Sequence, residues 1–270
     1  MHASTAAGQH NPAERVTAQT FLVIARDIAR GGLAGLMTGI LVAGIGGRVV
    51  MRLAALLVPE ATGLVTENGN RIGEITIEGT IALILLAGLF FGLSGAVVWI
   101  VVAPWIPLSS PGRALLAGPI AVALTGIALI DGFNHDFASL RYHPAVVALL
   151  LLLVALVGAS MAWFDTWLET RLPRPGASRG ADSAFLLITL AGGLLIVPLV
   201  LTAYLGGHDR PLGFALVGVG LATLLAWGYR VRGVGNPWWL TVVGRGALLL
   251  AVVLGFLALA PDVSKAVHWR

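Results

Sequence analysis

Long apolar runs separated by short polar segments make up most of the chain. A helix needs about 20 apolar residues to cross the hydrocarbon core of a membrane, which is about 30 Å thick. Each run is near that length, and none alternates apolar and polar residues as a barrel strand does. The pattern predicts an all-α, multi-pass transmembrane bundle of about seven spans. The runs fall at about residues 31–58, 80–103, 114–130, 145–167, 184–205, 212–228 and 240–260.

The polar segments divide the chain into further parts. Residues 1–20 are small and polar, and we expect a disordered cytoplasmic tail there. Residues 168–183 are rich in Arg, Pro, Gly and Ser, which is typical of a connecting loop. We therefore expect a cytoplasmic linker at 168–183 between a four-span membrane unit at 21–167 and a three-span membrane unit at 184–270.

Composition supports lipid as the main solvent. The chain is 57% hydrophobic and 11% charged, with a mean hydropathy of +0.90, whereas a soluble domain is about one quarter charged. The 17 basic residues are scattered between apolar runs and form no basic arm, so we expect no nucleic-acid partner. Cysteine is absent, which excludes disulfides and thiolate metal sites. No cofactor is predicted, and the expected partner is the lipid bilayer.

The arginines set the predicted orientation, because basic residues favour the cytoplasmic side of a membrane. With the N-terminus inside and the C-terminus outside, the outer segments hold only Arg71, Arg141, Arg210, Lys265 and Arg270. The inner segments then hold the larger share: Arg15, Arg26, Arg30, Arg113, Arg171, Arg174, Arg179, Arg230, Arg232 and Arg245. Arginine greatly outnumbers lysine, and Ala and Gly are abundant, which is typical of a GC-rich bacterial genome. We expect a bacterial inner membrane protein with a cytoplasmic N-terminus.

Small residues recur every four positions along the first apolar run and continue in the second. A helix face lined with such residues lets another helix backbone approach closely. We expect these positions to pack spans within the chain, and the alternative is an interface between subunits. The residues are Gly31, Gly35, Gly39, Ala43 and Gly47, followed by Gly88 and Gly92.

Two arginines follow this glycine stripe. Arg48 and Arg52 are one helical turn apart and point to nearly the same side. Glu67, Glu74 and Glu78 in the next loop are on the same predicted side of the membrane. The interpretations are a structural ion pair with these carboxylates, or a site for an anionic lipid or ligand.

The depth of Arg48 depends on where the first span begins. A helix that enters the membrane at Arg30 places Arg48 about 27 Å further along, near the outer boundary. A span that begins near Leu36 places Arg48 toward the midplane, where an arginine costs at least about 2.5 kcal/mol and needs a partner.

The two longest outer loops carry the remaining candidate chemistry. The first contains Asn68-Gly69, a strong turn signal, followed by alternating Ile and polar residues, which predicts a small outer β-hairpin, with a simple ordered loop as the alternative. The second loop is rich in groups that bind metal or exchange protons, although Asp commonly serves turns instead. The candidate metal ligands are Asp131, His135, Asp136 and His143, with His208 on the same predicted face.

These features give three functional hypotheses. The first is a non-enzymatic accessory or scaffold subunit that associates with another membrane protein or with further copies of itself. The second is a transporter or lipid-handling protein with an anionic ligand site near Arg48 and Arg52. The third is a membrane enzyme or metal site on the Asp/His loop. The absence of charge near the midplane in later spans argues against an ion-coupled transporter.

The predicted orientation has a direct test, because the chain has no cysteine of its own. A single cysteine is placed at Asn68 or at Ser178, and intact cells are treated with an impermeant maleimide. We expect labelling of Asn68→Cys only, since Asn68 is predicted to be outside. Labelling of Ser178→Cys alone would reverse the orientation.

Overall fold

The structure, a computed structural model, describes most of the chain. The described residues are 12–65, 71–74, 76–85, 90–130, 140, 143–206 and 210–268. Within these ranges the fold is helical and contains no strand. The α-helices are α1 (Pro12–Thr38), α2 (Ile45–Leu57), α3 (Ile77–Leu85), α4 (Leu93–Val102), α5 (Ser110–Thr125), α6 (Pro144–Arg171), α7 (Arg179–Ala191), α8 (Val197–Gly206), α9 (Arg210–Val231) and α10 (Trp238–His268).

Short π-helical segments join some of these helices into longer ones. Gly39–Gly44 connects α1 to α2, and Gly192–Ile196 connects α7 to α8. Each π segment begins at a glycine and adds residues to the turn without breaking the helix. Helices α1 and α2 therefore form one continuous rod, as do α7 and α8.

In the described part of the chain, seven helices are long and apolar enough to cross a membrane, which confirms the predicted multi-pass helical architecture. Their apolar character follows from lipid immersion, where every backbone polar group must pair within its own helix. The spans are Thr17–Leu57, Ile77–Trp105, Ser110–Ala128, Pro144–Arg171, Arg179–Gly206, Arg210–Val231 and Trp238–Val267.

The first helix starts well before the first apolar run. It begins at Pro12, within the segment predicted to be a tail, and proline is favoured at the first position of a helix. Ala25 and Ala29 are buried against Phe185 of α7, so this early part of α1 belongs to the packed bundle. The sequence placed the span start later because polar residues interrupt the apolar pattern around Arg26 and Arg30.

The loop between the first two spans differs from the predicted hairpin. Its described residues hold one isolated antiparallel bridge, between Val65 and Arg71, and Asn68-Gly69 lies outside the described residues. Ile77 and Glu78, expected in an alternating strand, form the first turn of α3 instead. The Thr76 side chain accepts a hydrogen bond from the backbone N–H of Gly79 (3.1 Å), which caps the helix.

Glycines let the spans cross at backbone distance. A Cβ atom added at Gly92 would lie 2.6 Å from the carbonyl oxygen of Gly35, so α1 and α4 meet main chain to main chain. Gly118 of α5 also lies close to the backbone of α6, since an added Cβ would be 3.1 Å from the Ala155 carbonyl oxygen. Gly255 of α10 packs on the backbone of Ala123, which joins the two predicted membrane units.

This packing predicts a position-dependent effect of enlarging a glycine. Gly35→Leu forces a side chain into the backbone of α4, and overpacking of this kind costs about 1–3 kcal/mol. We expect a lower midpoint of thermal unfolding in detergent for Gly35→Leu. Gly193→Leu is the control, because an added Cβ there meets nothing within 4 Å. Equal unfolding midpoints for the two variants would contradict the crossing.

Candidate functional site

A buried ion pair joins the first and fourth spans. The guanidinium Nε of Arg30 on α1 donates to Oδ1 of Asp165 on α6 at 2.7 Å. The Asp165 side chain is 5% exposed and that of Arg30 is 15% exposed. A short, charge-assisted contact of this kind is among the stronger hydrogen bonds in proteins. It fixes the register of α1 against α6.

Other charged side chains surround this pair. Arg30 also approaches the carboxylates of Asp27 (3.5 Å) and Glu169 (3.6 Å). Arg230, at the end of α9, lies 3.2 Å from Asp27. The cluster therefore ties α1, α6 and α9 together at one end of the bundle. We call these five residues, with Arg26 described next, the inner charge cluster, after the side of the membrane on which the sequence predicts them.

Arg26 closes the C-terminal end of α6. Its guanidinium donates to the carbonyl oxygens of Glu169 (2.8 Å), Leu172 (3.1 Å) and Pro173 (2.9 Å). The last carbonyls of a helix have no partner within it, so a cation at that point satisfies them and also matches the helix dipole. The inner charge cluster contains three arginines and three carboxylates and is electrically balanced.

The geometry of this cluster is that of a structural contact that holds the helices together. Each carboxylate has an arginine within ion-pair distance, and removing one member of a buried pair leaves an uncompensated charge. The sequence located Asp165 and Glu169 near the inner end of their span without pairing them. An acidic and a basic residue at the same predicted end of two spans was the available signal.

Among the described residues, neither Glu74 nor Glu78 forms an ion pair with Arg48 or Arg52. Arg52 donates to the backbone carbonyl of Gly73 at 2.8 Å, which anchors the following loop. Glu74 lies 3.6 Å from Arg71 rather than near the α2 arginines. Glu78 is exposed at the start of α3, and Glu67 lies outside the described residues.

Arg48 is in an unusual environment. Its Nε and Nη2 atoms are buried and have no hydrogen-bond partner in the part of the chain that the structure describes. Arg48 and Arg52 line a shallow groove of about 310 Å³ on α2. A second groove of about 490 Å³ lies between α2 and α6, and both grooves are otherwise lined by apolar side chains.

The ion pair also indicates how deep Arg48 lies. The helix is continuous through Arg30, which is at the level of Asp165. Asp165 and Pro144 are about 32 Å apart along α6, close to the thickness of the hydrocarbon core. If Asp165 and Pro144 mark the two boundaries, Arg48 is about 27 Å from the boundary at Asp165 and close to the other one.

The glycine stripe faces neighbouring helices. Gly31 is next to the Ile100 side chain and Gly35 is next to Gly92, both on the second span. Gly39 is also close to Gly92, since an added Cβ on Gly92 would lie 3.1 Å from its Cα. Gly47 approaches Leu83 of α3. Of the remaining two positions, Ala43 is half-buried, and Gly88 lies outside the described residues.

Most of the candidate metal ligands fall where the structure gives no description. Asp131, His135, Asp136 and His208 lie outside the described residues. His143 is described, and its Nδ1 atom accepts a hydrogen bond from the backbone N–H of Ala145 (3.3 Å), which caps α6. Among the described residues no group of three or more His, Asp or Glu side chains is placed to hold a metal ion.

Comparison with known proteins gives no relative for this chain. No family model, no curated protein and no solved structure matches it.

The buried ion pair leads to a stability prediction. Asp165→Asn leaves Arg30 without its nearest carboxylate, and we expect a loss of about 3 kcal/mol in the free energy of unfolding, at the low end for a broken buried pair. The measurement is unfolding by titration with a denaturing detergent. The control is Glu74→Gln, whose exposed pair with Arg71 is worth less than about 1 kcal/mol.

A double variant separates ion pairing from packing. Arg30→Met with Asp165→Leu replaces both charges by apolar groups, and such replacements are often neutral. We expect it to recover most of the stability lost in Asp165→Asn. If Asp165→Asn loses no more stability than Glu74→Gln, the cluster does not hold the helices together.

Proposed function

We propose that this protein is a non-enzymatic accessory or scaffold subunit of a membrane complex. One observation carries the proposal: the side chains of the inner charge cluster, together with Trp105, Thr223 and Tyr204, bond to neighbouring helices and so hold the bundle in one arrangement. A protein that moves a substrate needs some of these groups to exchange partners. A scaffold instead needs a fixed shape.

The interhelical hydrogen bonds extend beyond the inner charge cluster. Trp105, which follows α4, donates its indole N–H to Thr223 of α9 (2.9 Å), and Thr223 donates to the carbonyl of Val101 (2.8 Å). The Tyr204 hydroxyl of α8 donates to the Leu124 carbonyl of α5 (2.8 Å). These bonds join the sixth span to the second and the fifth span to the third.

The fifth span offers the surface for a partner. In its most apolar window only 11% of residues are buried. Gly192 and Gly193 stand at its centre with open space where a side chain would be, and Leu194 and Leu195 beside them are 74% and 70% exposed. The occupant that we propose is a transmembrane helix of another membrane protein, which would pack closely against the two glycines.

The proposed location is a bacterial inner membrane with the N-terminus in the cytoplasm. The described arginines of three separate segments support this orientation, because Arg26 contacts the chain at Pro173 and Arg230 contacts Asp27 at the same end of the bundle. A concentration of arginine favours the cytoplasmic side. The isolated Val65–Arg71 bridge favours a short hairpin around Asn68-Gly69 that ends before Ile77, where α3 begins.

A lipid-handling function is the second candidate. It is favoured by the two buried nitrogens of Arg48 that have no partner within the described chain. The third candidate, an enzyme or metal site on the Asp/His loop, rests on sequence proximity.

The test is native mass spectrometry of the full chain, extracted gently at its natural expression level. We expect a membrane protein to remain bound in a fixed stoichiometry. Gly193→Trp fills the open glycine face and should release that partner. Leu249→Trp is the control, at an exposed position on α10. A partner that stays bound to Gly193→Trp would place the contact elsewhere. A lone chain in every preparation, with or without lipid, would rule out the subunit, and a bound second copy would replace it with a homo-oligomer.

A further inference from the structure

The guanidinium of Arg48, on the outer half of the first span, has buried nitrogens without a partner in the described part of the chain. The Nε and Nη2 atoms of Arg48 are buried and make no hydrogen bond within the described residues. A buried donor that lacks an acceptor costs about 1–3 kcal/mol, and more when the group is charged. Arg48 therefore needs an acceptor that the described chain does not supply.

The neighbouring polar side chains already have partners within the chain. Arg52, one turn further along, donates to the Gly73 carbonyl, and Glu74 pairs with Arg71. Gly44, one turn before Arg48, is next to Ile84 of α3. Gly47, the residue before Arg48, is next to Leu83 of the same helix. Arg48 accordingly lies at the side of α2 that faces α3.

The surface beside Arg48 is shaped for a chain of apolar atoms. The groove of about 310 Å³ is lined by Ile45, Val49 and Leu53 together with the two arginines. Leu41, Ile45 and Val49 recur every four residues and are about half exposed, which forms an apolar strip along the rod from Arg48 toward the membrane interior. A charged head and an apolar strip thus meet on one helix face.

We propose that this groove binds one anionic phospholipid, with its phosphate at Arg48 and Arg52 and an acyl chain along the Leu41–Ile45–Val49 strip. Because the unpartnered nitrogens are buried in the structure, binding requires the Arg48 side chain to turn toward the groove, where its guanidinium would donate two parallel hydrogen bonds to phosphate oxygens. A lipid is the occupant because the walls are apolar and belong to a membrane span. A soluble anion would not cover the strip. This site is independent of the proposed scaffold role.

The experiment uses the full-length protein in a mild detergent. Phosphatidylglycerol or zwitterionic phosphatidylcholine is titrated in, and native mass spectrometry counts the lipids retained. We expect one tightly held phosphatidylglycerol, bound at least about tenfold more tightly than phosphatidylcholine, a difference that one charge-assisted contact supplies. Arg48→Gln should remove this preference, and Arg48→Lys should keep part of it.

Two further variants keep the test independent of folding problems. Val49→Trp fills the groove at an exposed position, should leave the fold intact and should release the lipid. Val242→Trp is the matched control at an exposed position on α10 and should retain it. Arg71→Gln, which removes an exposed outer arginine, should also retain it.

Several outcomes would overturn the site. Equal retention of the two lipids by the wild-type chain would show that charge does not select the occupant. Unchanged phosphatidylglycerol binding in both Arg48→Gln and Val49→Trp would locate the lipid elsewhere. Displacement of the lipid by millimolar inorganic phosphate, with phosphate then bound at Arg48, would identify a soluble anion as the ligand. Loss of a protein partner in Gly193→Trp tests the scaffold role and leaves this result untouched.

Discussion

In lipid the hydrophobic effect does not drive helices together as it does in water, and the rest of this structure depends on the contacts that replace it. Apolar side chains gain little by leaving lipid for one another, so helices associate through close packing and polar contacts. The chain supplies close packing where glycines let two backbones touch, as at Gly35 and Gly92. It supplies polar contacts through the inner charge cluster, where Arg30 and Asp165 join spans far apart in sequence. Neutral hydrogen bonds join the fifth and sixth spans to the third and second, and Gly255 packs the seventh span on the backbone of Ala123.

The sequence predicted the architecture well because a span is a local property. Seven apolar runs near membrane thickness are visible without knowing how they pack, and seven such helices are present. The helix boundaries were harder to predict where polar residues are buried between helices. The first helix extends back to Pro12 because Ala25, Ala29 and Arg26 pack against other spans, which no periodicity of a single segment reveals.

The candidate sites were predicted less completely, since a partner depends on tertiary contacts. Arg48 and Arg52 were recognised as exceptional charges, but their predicted carboxylate partner Glu74 pairs locally with Arg71, only three residues away. The Arg30–Asp165 pair was missed because each residue alone resembles an ordinary charge at the end of a span. Thr76 shows the same limitation for local structure, because its helix-capping bond overrides an alternation that suggests a strand.

The rod formed by α1 and α2 has a mechanical consequence. It continues through the π segment without a break, and it is held at Arg30, which lies as many residues from Pro12 as from Arg48. Each arm is about 27 Å long. The Gly35–Gly92 crossing holds the same rod at a second point, so its tilt is fixed and the groove beside Arg48 keeps one position relative to the inner charge cluster.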